Sequence, residues 1–482
     1  MTATATEWET VIGLEVHCEL RTATKLFCGC RNSFGEEPNT SICPTCLGLP
    51  GSLPVLNRTA VEYAMRIGAA LHCRVQGSLF HRKNYFYPDM PKDYQISQYD
   101  IPINADGWLD LPNGRRIGIV RAHLEEDTGK TTHVGGGGRI HDAAHSLVDY
   151  NRAGVPLVEI VSAPDLRSAE DARAYVDELR SILVATGASD GKMEEGSLRV
   201  DANVSVRPVG SSEFGTRCEI KNMNSLRSLG RAIEYEAARQ IALIGEGGTV
   251  SQETRHWDEA SGRTGSMRSK EEAYDYRYFP EPDLVPVEPS AEWVSAVEAS
   301  LPPLPADRRA AIARASGLAA DSDAVITVVR LGLDGLVEAV AASGGASATP
   351  DAAALAVRRA ANEVAADLEG AARLDRVGFA RLVAMEAGGE LTAAQARTVL
   401  KTMLERGGQP DAIAADLGFE AMEASALETV VDDVIAAHPD EWQRFCSGED
   451  KLTGFFIGHI KSATDGKADL KAASGLLRSR RS

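Results

Sequence analysis

The chain has 482 residues, of which 44% are hydrophobic and 25% charged, and its formal net charge is −18 at pH 7. This length exceeds what one core usually supports, so we expect two to four domains, and the acidic surface disfavours general binding to nucleic acid. The sequence has no run of eighteen apolar residues and begins without a signal-peptide pattern, which predicts a cytoplasmic protein without a membrane partner.

The first predicted element is a strand over residues 11–20, in which apolar and polar side chains alternate. Glu15, His17 and Glu19 share one face because side chains along a strand alternate with a period of two. An antiparallel sheet often keeps one face in water, so solubility alone explains such a pattern. A carboxylate beside histidine or arginine is also what a hard-metal or phosphate site requires. Both interpretations stay open for this face.

Four of the eight cysteines fall within nineteen positions, as Cys28, Cys30, Cys43 and Cys46. Two close pairs separated by a loop can place four thiolates tetrahedrally around Zn²⁺, so the spacing favours a structural zinc site. A disulfide cluster and a redox dithiol are the competing interpretations. The sequence around His17 and the pair Cys43 and Cys46 is similar to a zinc deaminase signature. That signature requires proline before the pair, where this chain has Ile42, and it would leave Cys28 and Cys30 without a role.

Two further segments concentrate carboxylates in predicted strands. Glu125, Glu126 and Asp127 are consecutive, and adjacent like charges are stabilised either by solvation or by a divalent cation. Glu159 stands alone in an apolar strand, where a buried carboxylate needs a partner. These segments therefore join the polar face of the first strand as candidate metal ligands.

A β-hairpin is predicted over residues 198–206 and 217–221, joined by a turn rich in glycine and proline. Its polar face mixes acids, bases and amides. The segment 81–87 places three basic-type residues beside three aromatic residues, which is typical either of a loop over an aromatic cluster or of a surface that stacks bases and holds phosphate.

The composition changes after about residue 293, where alanine, leucine, arginine and glutamate recur at helical spacing. The stretch from Asp351 to Leu368 is a strong predicted helix. Glycine and proline at 407–410 mark a second joint, after which a small helical unit is expected. Its last part, from Lys451 to Ser482, has seven basic and two acidic residues, which indicates either a solvated terminal helix or a local contact with a polyanion.

Several long phrases of the sequence together resemble one family, the B subunits of bacterial tRNA-dependent amidotransferases. The phrases are Gly-Leu-Glu-Val-His from residue 13, Cys-Pro-Thr-Cys-Leu-Gly-Leu-Pro-Gly from 43, His-Arg-Lys-Asn-Tyr-Phe-Tyr-Pro-Asp-Met-Pro-Lys-Asp-Tyr-Gln from 81, Glu-Glu-Asp-Thr-Gly-Lys from 125, Asp-Tyr-Asn-Arg-Ala-Gly-Val-Pro-Leu-Val-Glu-Ile from 149, Arg-Val-Asp-Ala-Asn-Val-Ser from 199, Arg-Tyr-Phe-Pro-Glu-Pro-Asp from 277 and Leu-Thr-Gly-Phe-Phe-Ile-Gly-His-Ile-Lys from 452. The resemblance covers residues 9–290 and resumes near the C-terminus.

The resemblance implies an α+β protein with three parts. They are a cradle domain with an antiparallel sheet and the zinc site (residues 1–293), an all-α helical domain (294–406) and a small helical tail domain that binds tRNA (407–482). It also implies a ligase of protein biosynthesis, in which ATP and Mg²⁺ phosphorylate the side-chain carboxylate of Glu on tRNA(Gln) or Asp on tRNA(Asn). Ammonia from a separate glutaminase A subunit then forms the amide, in a heterotrimer completed by a small C subunit.

The resemblance further implies roles for individual residues. The expected Mg²⁺ ligands are Glu15, His17, Glu125 and Glu159, with Glu126, Asp201 and Glu219 as further catalytic candidates. Lys83, Arg152, Arg199 and Lys221 are candidates to hold phosphate, nucleotide or the terminal adenosine of tRNA. Lys461, Lys467 and Lys471 are the expected contacts to the tRNA body.

Two rival functions remain open at this point. A free-standing zinc hydrolase or deaminase would have one labile catalytic zinc ion and would act without ATP. A non-catalytic tRNA-binding scaffold would tolerate loss of Glu15 and His17. The sequence alone does not indicate whether Asp-tRNA(Asn), Glu-tRNA(Gln) or both are substrates.

Overall fold

The computed structural model describes residues 7–135, 143–267, 276–344, 348–419, 424–464, 468 and 470–481. The chain forms two compact units that divide between Pro305 and Ala306. Strands belong to the first unit and the second unit is helical, so the predicted α+β class is confirmed. Each helix in the described part of the chain is too short or too polar to cross a lipid bilayer.

The described part of the first unit contains fourteen strands and four helices. The strands are β1 (Trp8–Glu19), β2 (Arg74–Val75), β3 (Leu79–Asn84), β4 (Tyr94–Ile101), β5 (Asn104–Asp110), β6 (Arg116–Glu126), β7 (Lys130–Val134), β8 (His145–Asp149), β9 (Pro156–Ser162), β10 (Leu198–Pro208), β11 (Cys218–Lys221), β12 (Thr254–Asp258), β13 (Arg263–Ser266) and β14 (Phe279–Pro280). The helices are α1 (Arg58–Ala70), α2 (Ala169–Ala185), α3 (Leu226–Gly245) and α4 (Ala291–Ala299).

Twelve of these strands form one sheet, in the order β13-β12-β11-β10-β1-β9-β6-β4-β3-β14, with β5 pairing beside β6 and β2 beside β5. All neighbouring pairs are antiparallel except β11 and β12, which run parallel. The predicted hairpin is confirmed, because β10 and β11 pair antiparallel. β7 and β8 form a separate two-stranded ribbon.

One face of the sheet is covered by helices. Alternate residues of β1 and β10 are fully or almost fully buried there, among them Ile12, Leu14 and Val200. α1 packs on β5 and β6, α3 packs on β10, and α2 packs against α3. Each of these helices begins at a polar side chain that accepts backbone N–H bonds, namely Asn57, Ser168 or Ser225. The helices bury the apolar face and leave the polar face of the central strands for chemistry.

The second unit contains twelve α-helices among its described residues and has two hydrophobic cores. They are α5 (Pro305–Ser316), α6 (Asp323–Arg330), α7 (Asp334–Ala342), α8 (Pro350–Arg359), α9 (Leu368–Ala371), α10 (Arg376–Ala387), α11 (Ala393–Arg406), α12 (Pro410–Asp416), α13 (Ala424–Ala437), α14 (Pro439–Cys446), α15 (Leu452–Ala463) and α16 (Leu470–Arg481). One core includes residues of α5 to α12 and the other includes residues of α13 to α16. The helix predicted from residue 351 to 368 is α8 followed by a π-helical turn over Ala360–Val364.

The first unit ends later in the chain than the cradle boundary expected at residue 293. Trp293, Val294 and Val297 of α4 pack on the core of the sheet, so this helix belongs to the first unit. Ile413 and Ala414 of α12 belong to the core of α5 to α12. The structure divides into two compact units, and the division into three domains stays a prediction.

Candidate active site and metal centres

Strand register brings polar side chains from distant parts of the chain into one row across the sheet. His17 on β1 lies opposite Arg199 on β10 and opposite Glu159 on β9, and Glu159 lies opposite His123 on β6. Residues directly opposite one another on antiparallel strands have Cβ atoms about 5 Å apart. The row therefore places two imidazoles, a carboxylate and a guanidinium beside one another on the face that the helices leave uncovered.

Three of the four predicted Mg²⁺ ligands converge at this row, with Glu125 two residues along β6 from His123. His17 Nε2 lies 3.6 Å from Glu125 Oε1 and 3.8 Å from Glu159 Oε2. One ligand atom from each of the three residues falls within 4.8 Å of the others. We call His17, Glu125 and Glu159 the acidic trio. The fourth predicted ligand, Glu15, is next along the same face of β1.

Burial controls the protonation of the trio. It lowers the pKa of His17 to about 4, against the nearby charge of Glu159, so the imidazole is neutral at physiological pH. Burial, followed by repulsion from Glu159, raises the pKa of Glu125 to about 8. The pKa of Glu15 is also raised, first by burial and then by Glu159 and Glu219. These carboxylates therefore lie in a region of crowded, poorly solvated negative charge.

A divalent cation fits this environment. Mg²⁺ prefers carboxylate oxygens at about 2.1 Å, which spans ligand atoms up to about 4.2 Å apart, close to the separations in the trio. Neutral imidazole is the form that binds metals. His123 is fully buried, and among the described residues neither of its ring nitrogens has a hydrogen-bond partner. Its Nε2 lies 3.6 Å from Glu159 Oε2, so an unpaired donor or acceptor faces the same space.

Glu15 and its neighbours form a charged network beside the trio. Asn203 Nδ2 donates a 2.9 Å hydrogen bond to Glu15 Oε1. Lys221 lies between two carboxylates, since its Nζ bonds to Asp201 and lies 2.8 Å from Glu219 Oε1. The structure thus brings both acids predicted on the hairpin near Glu15, and it pairs each of them with Lys221.

Two predicted phosphate-binding residues meet at a carboxylate that the site prediction omitted. Arg199 Nη2 donates a 2.6 Å bond to Asp127 Oδ2, and Arg152 Nε lies 3.5 Å from the same oxygen. Burial would raise the pKa of Asp127, but the two guanidinium groups lower it below its usual value. Glu19 is close by, and burial and then the charge of Asp127 raise its pKa to about 8.

The structure places Glu126 apart from the other predicted carboxylates. Its side chain pairs with Lys92 and accepts a 3.0 Å bond from the backbone N–H of Ile96. The physical reason is the alternation of side chains along β6, which separates Glu126 from Glu125 and Asp127. The structure therefore does not bring this carboxylate to the acidic trio.

Lys83 lies at the aromatic edge of the site. Its Nζ is 4.8 Å from the ring centroid of Tyr276, and its charge acts to lower the pKa of both His123 and Glu125. Tyr99 and Tyr278 stack with centroids 5.4 Å apart. The basic and aromatic segment predicted over residues 81–87 thus overlaps strand β3, and its Lys83 acts on the trio through Glu125.

A cavity of about 700 Å³ opens beside Arg152 and Glu19. Its wall includes Phe34 and Pro38 of the cysteine segment and Lys130 of β7. This volume is within the range of small-molecule sites. A second cavity of about 560 Å³ adjoins Glu15 and Asn203 on the other side of the row.

Sequence reasoning missed His123 and Arg121, and it noted Glu19 and Asp127 on polar segments without assigning either a role in the site. Arg121 Nη2 lies 3.7 Å from Glu159 Oε1, so this guanidinium also borders the trio. Each of the four residues is an even number of positions from a predicted ligand, either on the same strand or just past its end, and so shares that ligand's face of the sheet. Applying the period-of-two rule through residue 127 would have selected His123 and Asp127 and rejected Glu126.

The four cysteines form a second, separate centre. Their sulfur atoms lie within 4.8 Å of one another, with Cys43 Sγ 3.6 Å and Cys30 Sγ 3.8 Å from Cys46 Sγ. Tetrahedral zinc with Zn–S bonds of about 2.3 Å requires sulfurs about 3.8 Å apart. All four thiols are free of disulfide bonds. The donor set and its spacing therefore fit a structural Zn²⁺ ion.

Electrostatics in this centre favour a thiolate. A hydrogen bond with Cys28 lowers the pKa of Cys46 to about 4 and raises that of Cys28. The backbone N–H of Cys43 donates to Cys46 Sγ at 3.0 Å. His17 belongs to the acidic trio and is absent from the cysteine group among the described residues, which removes the geometric basis for a deaminase site.

The tail residues are only partly described. Lys461 is exposed on α15, and Lys471 belongs to α16, whereas Lys467 lies outside the described residues. Two other basic residues of the tail are neutralised within the fold, because Arg480 pairs with Asp432 and Arg481 with Asp450.

Fold and site together define a class of protein, a sheet-based catalytic domain joined to a helical region. Residues 10–295 match the family described as GatB/GatE catalytic domain, and residues 336–480 match the one described as GatB domain. The chain belongs to the GatB family.

Full-length relatives carry one name, that of the B subunit of aspartyl/glutamyl-tRNA(Asn/Gln) amidotransferase. The chain is 51% identical to the protein of this name from Frankia casuarinae, over 98% of this chain and 95% of the relative. Proteins of the same name from Brevibacillus brevis and Moorella thermoacetica are each 48% identical, over 96% and 98% of this chain and 96% and 100% of their own lengths.

Metal analysis tests the cysteine centre. We expect about one zinc ion per chain in the purified protein, and its loss in Cys43→Ser, because three thiolates hold the ion much more weakly than four. Cys73→Ser is the matched control, since that thiol lies outside the cysteine group. Zinc retention in Cys43→Ser at the wild-type level would contradict the assignment.

Proposed function

We propose that this amidotransferase chain activates the side-chain carboxylate of Glu on tRNA(Gln), of Asp on tRNA(Asn), or of both. ATP is the phosphate donor, and ammonia then replaces the phosphate to give the amide. The relatives are named as parts of an Asp/Glu-tRNA amidotransferase, and this supports the substrate class.

The chemistry explains why such a site needs concentrated charge. A carboxylate is a poor acceptor for ammonia because oxide would have to leave. Attack of a carboxylate oxygen on the γ-phosphorus of ATP breaks the bond to ADP and gives an acyl phosphate. Ammonia attacks the acyl carbon, inorganic phosphate leaves, and one proton is lost from nitrogen. Both steps depend on positioning and on neutralising phosphate charge.

The observation that carries this proposal is the acidic trio. His17, Glu125 and Glu159 would hold Mg²⁺, and Glu15 would stand next to it on β1. The ion, when bound, supplies positive charge to phosphate oxygens. Burial keeps His17 neutral and therefore able to act as a ligand at physiological pH.

The surrounding cationic side chains would be held in fixed positions for binding phosphate. Arg199 is held by Asp127, and Lys221 is held by Asp201 and Glu219. These pairs restrict each cation before substrate arrives, so little ordering remains to be done on binding. Arg152 lies beside Asp127, and the charge of Lys83 acts on Glu125, which supports contacts of these two cations to phosphate or to the terminal nucleotide of tRNA.

We infer that ammonia comes from a glutaminase A subunit and that a small C subunit completes a heterotrimer in the cytoplasm. The name shared by the relatives designates one of several differently lettered chains, which supports a complex. Zn²⁺ in the cysteine centre would stabilise the cradle, since four thiolates leave no open coordination position for catalysis. This argues against a free-standing zinc hydrolase.

Replacement of trio residues tests the proposed function. In the complex reconstituted with A and C subunits, we expect His17→Ala and Glu125→Gln to reduce ATP hydrolysis dependent on mischarged tRNA by at least about 100-fold, because charge stabilisation at phosphate is lost. Amide formation on Glu-tRNA(Gln) and Asp-tRNA(Asn) should decline in parallel.

Glu9→Gln is the matched control for these variants. Glu9 lies on the same strand with the same parity, but it pairs with Arg207 and Arg167. This control should keep wild-type activity. Unchanged amide formation in His17→Ala would instead support the non-catalytic scaffold, and activity without ATP would support the hydrolase.

The tail makes a separate prediction. Because cations that contact phosphates add to affinity and not to chemistry, Lys461→Ala together with Lys467→Ala should raise the KM for tRNA about 3- to 10-fold and leave kcat nearly unchanged. Steady-state kinetics at two salt concentrations measure this. An unchanged KM would remove the tail from tRNA recognition.

A further inference from the structure

Two loops meet beside the candidate active site. One is the zinc loop, residues 28–46, which contains the four cysteines. The other, called the arginine loop, is residues 148–152, which comprise the end of β8 and the turn after it up to Arg152. The strand β9 and its partners hold the trio, but Arg152 stands outside the regular sheet, so its position depends on what supports its loop.

Asn39 makes three hydrogen bonds from the zinc loop to the arginine loop. Its backbone N–H donates to Asp149 Oδ1 at 3.0 Å and its Nδ2 donates to the carbonyl of Val148 at 3.1 Å. Its Oδ1 accepts from the backbone N–H of Tyr150 at 2.8 Å. Asn39 has a φ of +62°, a conformation that asparagine adopts more readily than most residues.

Asn151 makes two hydrogen bonds in the opposite direction, from the arginine loop to the zinc loop. Its Oδ1 accepts a 2.8 Å bond from the backbone N–H of Ser41, and its Nδ2 donates a 2.7 Å bond to the carbonyl of Glu37. Each asparagine thus uses its side-chain amide as donor and acceptor across the gap. The two loops are therefore joined by bonds between side chains and backbone, in place of the backbone–backbone bonds that join paired strands.

A buried ammonium completes the contact. Lys25 is fully buried, and its Nζ donates to the carbonyl of Ser41 at 2.9 Å and to that of Tyr150 at 3.4 Å. A single buried cation therefore donates hydrogen bonds to both loops.

The arginine loop in turn orients a guanidinium in the site. Arg152 Nε donates to the carbonyl of Thr128 and Nη2 to that of Gly129, both at 2.9 Å. The same group lies 3.5 Å from Asp127, which Arg199 holds. The guanidinium of Arg152 is therefore oriented by the carbonyls of Thr128 and Gly129 and by Asp127, and its backbone is positioned by the arginine loop.

We propose that the zinc loop is a positioning element for Arg152, and that Asn39 and Asn151 are the positioning residues through which the folded cysteine centre orders the arginine loop. This inference uses the proposed function for its kinetic test only. Its structural test, amide exchange, is independent of any reaction, so failure of the proposed function and failure of this inference are distinguishable.

Hydrogen–deuterium exchange on the reconstituted complex measures the ordering directly. Asn39→Gly keeps the positive φ and removes the side-chain bonds, and Asn151→Ala removes the reciprocal pair. In both variants, and after removal of zinc with a chelator, exchange in peptides covering residues 148–155 should increase by about 10-fold, the effect expected from losing the hydrogen bonds between the two loops. Peptides from β10 should keep wild-type exchange.

Asn32→Ala is the matched control, because Asn32 Nδ2 binds the carbonyl of Leu20 and not the arginine loop. Both positioning variants should retain zinc. If residues 148–155 exchange at the wild-type rate in Asn39→Gly, in Asn151→Ala and without zinc, the inference is overturned. A variant that loses zinc is replaced by Asn151→Asp, which keeps the acceptor for Ser41 and removes the donor to Glu37.

A double-mutant cycle separates positioning from general stability. Asn39→Gly should raise the KM for ATP about 5- to 10-fold alone and have no further effect in an Arg152→Ala background, because coupled residues are not additive. An equal effect of Asn39→Gly in both backgrounds would overturn the role of Arg152 as the residue positioned.

Discussion

The antiparallel register of β10, β1, β9 and β6 is the constraint on which the site depends. It places His17 opposite Glu159 and Arg199, and Glu159 opposite His123, although these residues are far apart in the sequence. A shift by one residue in any of these strands would turn its polar set into the helix-covered core and its apolar set outward. The core packing that fixes this register, with Leu14 and Val200 buried against the helices, therefore also fixes the chemistry.

The first unit holds two candidate metal centres of different chemistry. Four cysteine sulfurs at tetrahedral spacing form a closed set suited to holding a loop. The trio of His17, Glu125 and Glu159 offers fewer, harder ligands, so a bound cation would keep positions for substrate oxygens. Hydrogen bonds of Asn39 and Asn151 join the zinc loop to the arginine loop, which carries Arg152 to Asp127 beside the site.

Alternation predicted which faces of β1, β10 and β11 are polar, and cysteine spacing predicted the tetrahedral set. Neither pattern contains the order of strands in the sheet, so the pairing of Arg199 with Asp127 could not be derived. Glu126 was predicted from the family resemblance, although its parity with Leu124 indicates the core face. The burial of Lys25 could not be predicted from the sequence either, because it depends on carbonyls of two loops that meet only in the folded chain.

Binding of Mn²⁺, a spectroscopic substitute for Mg²⁺, tests the central claim most directly. Electron paramagnetic resonance titration of the zinc-loaded chain should show one tight Mn²⁺ site in the wild type and in Glu9→Gln. In Glu159→Gln the affinity should decrease at least about 10-fold, since a charged ligand is lost. Equal Mn²⁺ affinity in the wild type and in Glu159→Gln would contradict the assignment of the acidic trio as a divalent-cation site.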